Sequence, residues 1–118
     1  MRTALLAAAL LMPLSSGLAA SPTPATITID LSNYRYDPAT IRLRHGQPYV
    51  LRLVNRSARK HNFVAPEFLV AAGRRAIEVP AGAVADVAIV APAAGTYKVK
   101  CTHFTHALRG MKGRILVE

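Results

Sequence analysis

The sequence predicts an all-β domain, a sandwich or a barrel, with one short helix. Two observations carry this prediction. Apolar and polar residues alternate along several short segments, and clusters of turn-forming residues separate those segments. A period of two is typical of strands that bury one face and expose the other. Because the chain has 118 residues, we expect a single folded domain.

The strands follow one another from Thr26 to the end of the chain. The apolar positions that define the inward face are Ile27, Ile29 and Leu31, then Ile41 and Leu43, then Tyr49, Leu51 and Leu53, then Val87 and Ile89, then Tyr97, Val99 and Cys101. A further strand is expected at 61–64, and Ile115 and Val117 belong to the last one. The predicted turns are Asp37-Pro38, His45 to Pro48, Asn55 to Ser57, Pro80 to Gly82 and Pro92 to Gly95.

One segment departs from the alternation and has the features of a short helix. Pro66 and Glu67 precede the run Phe-Leu-Val-Ala-Ala, and Gly73 follows it. Proline and an acidic residue suit the first turn of a helix, and glycine suits the position just past its end.

The amino terminus predicts an export signal. Arg2 supplies a positive start, and the apolar stretch from Ala4 to Leu14 is too short to span a bilayer. The small residues around Ala19 favour cleavage after that residue, so that 1–19 is the signal and 20–118 the domain. Retention as an amino-terminal anchor is the lesser alternative. We therefore expect a periplasmic protein. We also expect the protein to be a monomer.

The charge is strongly basic, and it falls from +9 to +8 when Arg2 is removed with the signal. Such a field would steer the protein toward acidic protein partners or an anionic membrane surface. Nucleic acid is not expected, because the protein is exported and has no motif that reads bases. A solvated, arginine-rich exterior explains the charge about as well as a dedicated docking patch does.

Four residues form a candidate metal site. Cys101, His106 and Met111 lie in one loop between two strands, and His61 stands at the start of another strand. One thiolate, two imidazoles and one thioether are the donor set of a blue-copper centre. Cys101 is the only cysteine in the chain, and binding to a metal would protect its thiol in an oxidising compartment. The alternation directs its sulfur inward, between the sheets.

At these residues the chain resembles the cupredoxins of the azurin and plastocyanin group. The resemblance covers nearly all of the mature chain, and its most specific parts are His61-Asn62-Phe63-Val64 and the segment from Cys101 to Gly113. It implies a Greek-key β-sandwich of seven or eight strands with one copper ion at one end. It implies His61, Cys101 and His106 as equatorial ligands and Met111 as a weak axial ligand. It also implies that Asn62 joins its strand to the loop near Thr102.

The function expected from this site is single-electron transfer between redox proteins, without enzymatic activity. A periplasmic copper carrier or copper-resistance protein, using the same donors, is the alternative. His103 could replace His106 as a ligand, although His106 has the spacing of the family. A cysteine-based enzyme is disfavoured because acidic residues are scarce and none is expected near the loop.

Overall fold

The computed structural model describes residues 8–14, 17, 23–103 and 105–118. Residues 8–14 and 17 of the predicted signal are exposed and without regular secondary structure. The predicted cleavage point after Ala19 lies outside the described residues. No helix within the described ranges has the length and apolar character needed to cross a membrane.

The described residues form nine strands in two sheets, with one short helix. The strands are β1 (Ala25–Ser32), β2 (Arg35–Asp37), β3 (Thr40–Leu43), β4 (Pro48–Asn55), β5 (His61–Val64), β6 (Ala76–Val79), β7 (Val84–Val90), β8 (Gly95–Lys100) and β9 (Lys112–Val117). One sheet has the order β2-β1-β4-β7 and the other has the order β3-β9-β8-β5-β6. The predicted all-β Greek-key sandwich is confirmed. The number of strands is nine, where seven or eight were expected.

The alternation did not predict two short edge strands, β2 and β6. β2 has three residues, and only Tyr36 in it is buried. β6 has four residues and pairs with β5 alone. Three residues are too few for a period of two to stand out from chance. β6 has the same buried pattern as β3, with Ile77 and Val79 buried on either side of Glu78, and it was not recognised despite that alternation.

The helix lies where proline and glycine predicted it. Helix α1 (Pro66–Leu69) continues into a turn of 3-10 helix, Val70–Ala72, which ends at Gly73. Gly73 has a φ of 69°, a left-handed conformation that glycine adopts at low cost, and its N–H bonds to the carbonyl of Val70. Phe68 and Leu69 are buried, so the helix closes one side of the core.

The core lies between the sheets, and the alternating apolar positions of the strands fill it. Ile29, Leu31, Leu51 and Leu53 are fully buried from one sheet, and Ile115 is fully buried from the other. At one end of this core β8 ends just before Cys101, β9 begins just after Met111, and β5 begins at His61. The strand ends therefore bring the three candidate segments to the same end of the sandwich.

Candidate metal centre

The structure brings three of the four predicted donors into direct proximity. One ligand atom each from His61, Cys101 and His106 lies within 4.8 Å of the others, and all three residues are buried. His61 and Cys101 have no exposed surface, and His106 is 6% exposed. Because His61 and Cys101 are far apart in the chain, the packing of β5 against the loop after β8 creates this cluster. Within the described residues it is the only such group of three histidine, cysteine or acidic side chains.

The separations of the donor atoms suit a single metal ion. His61 Nδ1 lies 3.2 Å from His106 Nδ1, and Cys101 Sγ lies 3.4 Å from the same nitrogen. Two donors bonded to one ion at about 2.0–2.3 Å stand about 3.3–3.8 Å apart when the angle between them is trigonal or tetrahedral. The observed separations are close to these values. His61, Cys101 and His106 thus form a possible copper site.

The orientation of His61 leaves the correct nitrogen free for a metal. Its Nε2 lies 3.2 Å from Oδ1 of Asn33, and an amide oxygen only accepts hydrogen bonds. The proton therefore resides on Nε2, and the lone pair of Nδ1 faces Cys101 and His106. A hydrogen bond to the outer nitrogen is the usual device that orients a ligating histidine. No sequence motif marks Asn33, which comes from the turn between β1 and β2.

Burial also favours the neutral form that a ligand needs. Desolvation, with the nearby positive charges of His106 and other groups, lowers the pKa of His61 below its ordinary value. Desolvation, with the charges of His103, Arg59 and Arg109, lowers the pKa of His106. Both imidazoles are therefore neutral near pH 7, and each keeps one ring nitrogen without a proton.

Backbone hydrogen bonds place Met111 beside the cluster. The Cys101 N–H donates to the carbonyl of Met111 over 3.1 Å, and the Met111 N–H donates to the carbonyl of His106 over 2.9 Å. Met111 is fully buried. The loop thus folds back on itself, and its three donor residues are joined by two backbone contacts.

Asn62 connects β5 to the loop, as the resemblance implied. Its Nδ2 donates to Thr102 Oγ1, and its Oδ1 accepts from the Thr102 N–H, each over 2.8 Å. The Asn62 carbonyl in turn accepts a hydrogen bond of 2.6 Å from the buried hydroxyl of Tyr36. Burial, with the nearby charge of Cys101, raises the pKa of Tyr36 above its ordinary value, so the hydroxyl stays protonated and donates. These contacts hold the residues that directly follow two of the donors, His61 and Cys101.

An acidic residue does lie near the loop, contrary to expectation. Glu78 Oε1 accepts from Asn62 Nδ2 over 2.9 Å, and Glu78 Oε2 lies 2.7 Å from His103 Nε2. Burial opposes ionisation of Glu78, but the hydrogen bonds from Asn62 and His103 lower its pKa. β6, which the alternation did not predict, supplies this residue. The His103 side chain is thus directed to Glu78, and it is absent from the donor cluster.

The Tyr34 ring packs against His106, and the Arg109 guanidinium packs over the Tyr34 ring. The Tyr34 ring centroid lies 5.0 Å from that of His106, and Arg109 Cζ lies 4.9 Å from the Tyr34 centroid. Arg109 also donates to the Tyr34 hydroxyl over 3.1 Å. Leu108, beside them, is 85% exposed. Leu108 is therefore an exposed apolar side chain on the loop that carries three of the candidate donors.

Known proteins share this architecture. Residues 3–117 match the model of the cupredoxin-like domain. Auracyanin B is 24% identical with a TM-score of 0.67, over 84% of this chain and 93% of its own. Dithionite-reduced auracyanin from Roseiflexus castenholzii is 26% identical with a TM-score of 0.66, over 82% of this chain and 99% of its own. Auracyanin A, a "blue" copper protein from Chloroflexus aurantiacus, is 25% identical with a TM-score of 0.64, over 81% of this chain and 100% of its own.

No curated protein sequence matches the chain significantly. The family model nevertheless spans almost the whole chain, including every predicted donor. The two-sheet topology, the buried cluster of imidazole and thiol donors and this match agree, and the chain belongs to the cupredoxin-like domain family.

Proposed function

We propose that this protein is an exported carrier of single electrons that holds one copper ion. His61 Nδ1, His106 Nδ1 and Cys101 Sγ are the main ligands, and the Met111 thioether is a weak fourth ligand. The observation that carries the proposal is the buried convergence of the three donor atoms within 4.8 Å. The likeness to auracyanin A, a blue copper protein, supports it.

The chemistry of the donors fits a copper ion that changes its oxidation state. Copper supplies the couple between Cu(I) and Cu(II) when bound. Cys101 and Met111 offer soft sulfur donors, and the two imidazoles suit either oxidation state. Asn33 holds His61 and Asn62 holds the start of the loop, so the ligands stay in place when the charge changes.

His106 is the residue through which electrons would pass to a partner. It is the only one of the three clustered donors with measurable exposure, and Leu108 projects into solvent next to it. Contacts between redox proteins are small and short-lived, and a single exposed leucine beside a ligand suits such an encounter. The partners proposed are redox proteins in the periplasm, reached through the predicted signal at 1–19.

The direct test is the spectrum of the protein loaded with Cu(II). We expect an intense visible absorption from thiolate-to-copper charge transfer and the matching EPR signal, both lost in the Cys101→Ser variant. The His45→Gln variant is the control, because His45 is exposed and is not in the donor cluster. A loaded wild-type protein without the visible band would overturn the proposal. Rapid exchange of the metal without reversible reduction would favour the copper carrier instead.

A further inference from the structure

The outer face of the five-stranded sheet has a groove lined by positive charges. We call it the basic groove and define it by Arg75, Lys98, Lys100 and Lys112, with Glu67 on one wall. It lies where β5 and β8 share a single paired position, Val64 with Lys100, which is the last residue of each strand. Most of β8 therefore has no strand beside it on this side, and the groove there has a volume of about 920 Å³.

The strand register places like charges directly opposite each other along this face. Lys100 faces Lys112 and Lys98 faces Arg114 across the antiparallel pair of β8 and β9. Like charges in directly opposite positions destabilise a sheet. Within the described part of the chain, no ion pair involves any of the four residues of these two cross-strand pairs. The arrangement therefore costs folding stability without compensation from inside the molecule.

The rest of the surface is arranged differently. The chain has six acidic residues, and five of them pair with a basic side chain elsewhere. These pairs are Arg35–Asp37, Arg42–Glu118, Arg52–Asp86, Arg56–Asp30 and His103–Glu78. On the other sheet, Arg52 and Asp86 are cross-strand partners of opposite charge. Only Glu67 remains beside the basic groove, so this face is left with an excess of positive charge.

We propose that the basic groove binds an extended acidic segment of a protein partner. Lys98 and Lys100 are exposed and lie two residues apart on β8. Side chains repeat about every 6.6–6.8 Å along one face of a strand, and acidic residues at alternate positions of an extended peptide have the same repeat. A groove that runs along β8 beside the start of α1 admits such a peptide, whereas a flat lipid surface reaches only its rim.

The position of the groove ties this inference to the proposed function, on which its biological meaning rests. Lys100 immediately precedes Cys101, and Lys112 immediately follows Met111. A redox partner held by the groove would therefore lie next to the loop that carries the donors. Complementary charges of this kind accelerate association more than they strengthen the final complex.

The test uses the full, metal-free chain, so its outcome does not depend on copper binding. The probe is a ten-residue peptide of alternating glutamate and serine, and the control peptide has glutamine in place of glutamate. Binding is followed by ¹⁵N–¹H NMR at low ionic strength, about 20 mM, where screening is weak. We expect shifts at β8 and β9 with the acidic peptide alone.

Two variants with the same loss of charge decide where the peptide binds. Lys100→Gln with Lys112→Gln removes two charges from the groove, and we expect affinity to fall at least about fivefold. Arg44→Gln with Arg52→Gln removes two exposed charges elsewhere, and we expect a change below about twofold. The groove variant should also unfold at the same or a higher temperature, because like-charge repulsion is relieved.

Several results would overturn the proposal. They are the absence of acidic-peptide binding, equal weakening by the two variants, or a groove variant less stable than the wild type. Binding to vesicles rich in anionic lipid, without binding of the peptide, would assign the groove to a membrane surface instead. Loss of the copper spectrum with retained peptide binding would overturn the proposed function but leave the groove assignment standing.

Discussion

Asn62 and Thr102 are joined by two hydrogen bonds, each of 2.8 Å, one from side chain to side chain and one from backbone to side chain. Asn62 is almost fully buried in β5, and Thr102 directly follows Cys101. This pair links the two chain segments that must meet to form the donor cluster. It also fixes the position of the Thr102 backbone N–H, which belongs to the residue directly after Cys101.

The Asn62→Ala variant should therefore be destabilised and should bind metal in a less ordered site. Both Thr102 groups and Glu78 Oε1 lose a partner, and such losses cost about 1–3 kcal/mol when the groups are buried. Denaturant unfolding measures the stability, and the visible spectrum of the copper form reports on the thiolate. Thr102→Val removes only one of the two bonds, so its effect should be smaller. Equal losses in the two variants would contradict this account.

Cys101, His106 and Met111 could be proposed as donors from the sequence because they share one loop, whereas only strand pairing brings His61 to Cys101 and His106. The contacts that orient the donors could not be predicted. Asn33 lies 28 residues from His61, and Glu78 lies 25 residues from His103. Neither residue has a neighbouring motif, and only the pairing of strands brings it to the site. Asn62 could be anticipated through the resemblance, because it directly follows a donor.

Strand length influenced which parts of the fold could be predicted from the sequence. Long strands such as β1 and β4 offer enough positions for the alternation to be recognised, and both have eight residues. Short strands offer few such positions: β3 and β6 each have two buried residues, and only β3 was predicted. The pattern also gave no sign that β5 and β8 pair at only one position, since local periodicity contains no information about the neighbour of a strand. The basic groove is a consequence of that tertiary feature.

Replacing Asn33 by alanine should weaken copper binding. The variant loses the acceptor that holds the proton of His61 on Nε2, and loss of such an outer contact lowers metal affinity about 10–100-fold. Competition with a chelator of known affinity measures the change. Asn33→Asp is the matched control, because a carboxylate keeps the acceptor oxygen and should retain tight binding. If the alanine and aspartate variants bind equally well, the contact does not orient His61.

Acid should destabilise the metal-free protein. Burial first, and then nearby positive charges, lower the pKa values of His61 and His106 in the folded state. In the unfolded chain, histidine has a pKa of about 6.5. The unfolded chain therefore binds more protons than the folded protein in mildly acidic solution. The free energy of unfolding thus falls as the pH drops below the histidine pKa of the unfolded chain toward the lower pKa values of the folded state.

Urea unfolding of the metal-free protein at about pH 7.5, 6.5 and 5.5 measures this decline above the range in which carboxylates titrate. The decline should be reduced when His61 and His106 are both replaced by asparagine. The His45→Gln variant should show the wild-type dependence, because His45 is exposed and outside the cluster. A constant stability over this range would contradict the prediction.

Two tyrosines make hydrogen bonds of the same length in different surroundings. The Tyr36 hydroxyl donates over 2.6 Å to the carbonyl of Asn62 in the buried region beneath the donor cluster. The Tyr97 hydroxyl donates over 2.6 Å to the carbonyl of Ala93 at an exposed position. Substitution by phenylalanine removes only the hydroxyl in each case. The pair therefore separates the effect of burial from the effect of the bond.

Tyr36→Phe should lower the free energy of unfolding by about 1–3 kcal/mol, because no water replaces the lost donor. Tyr97→Phe should lower it by about 0.5–1 kcal/mol, because water can bond to the exposed carbonyl. Tyr36→Phe should also shift the copper spectrum, since Asn62 holds the residue next to Cys101, whereas Tyr97→Phe should leave that spectrum unchanged. Equal destabilisation by the two substitutions, with no spectral change in either, would mean that the Tyr36 hydroxyl does not support the donor loop.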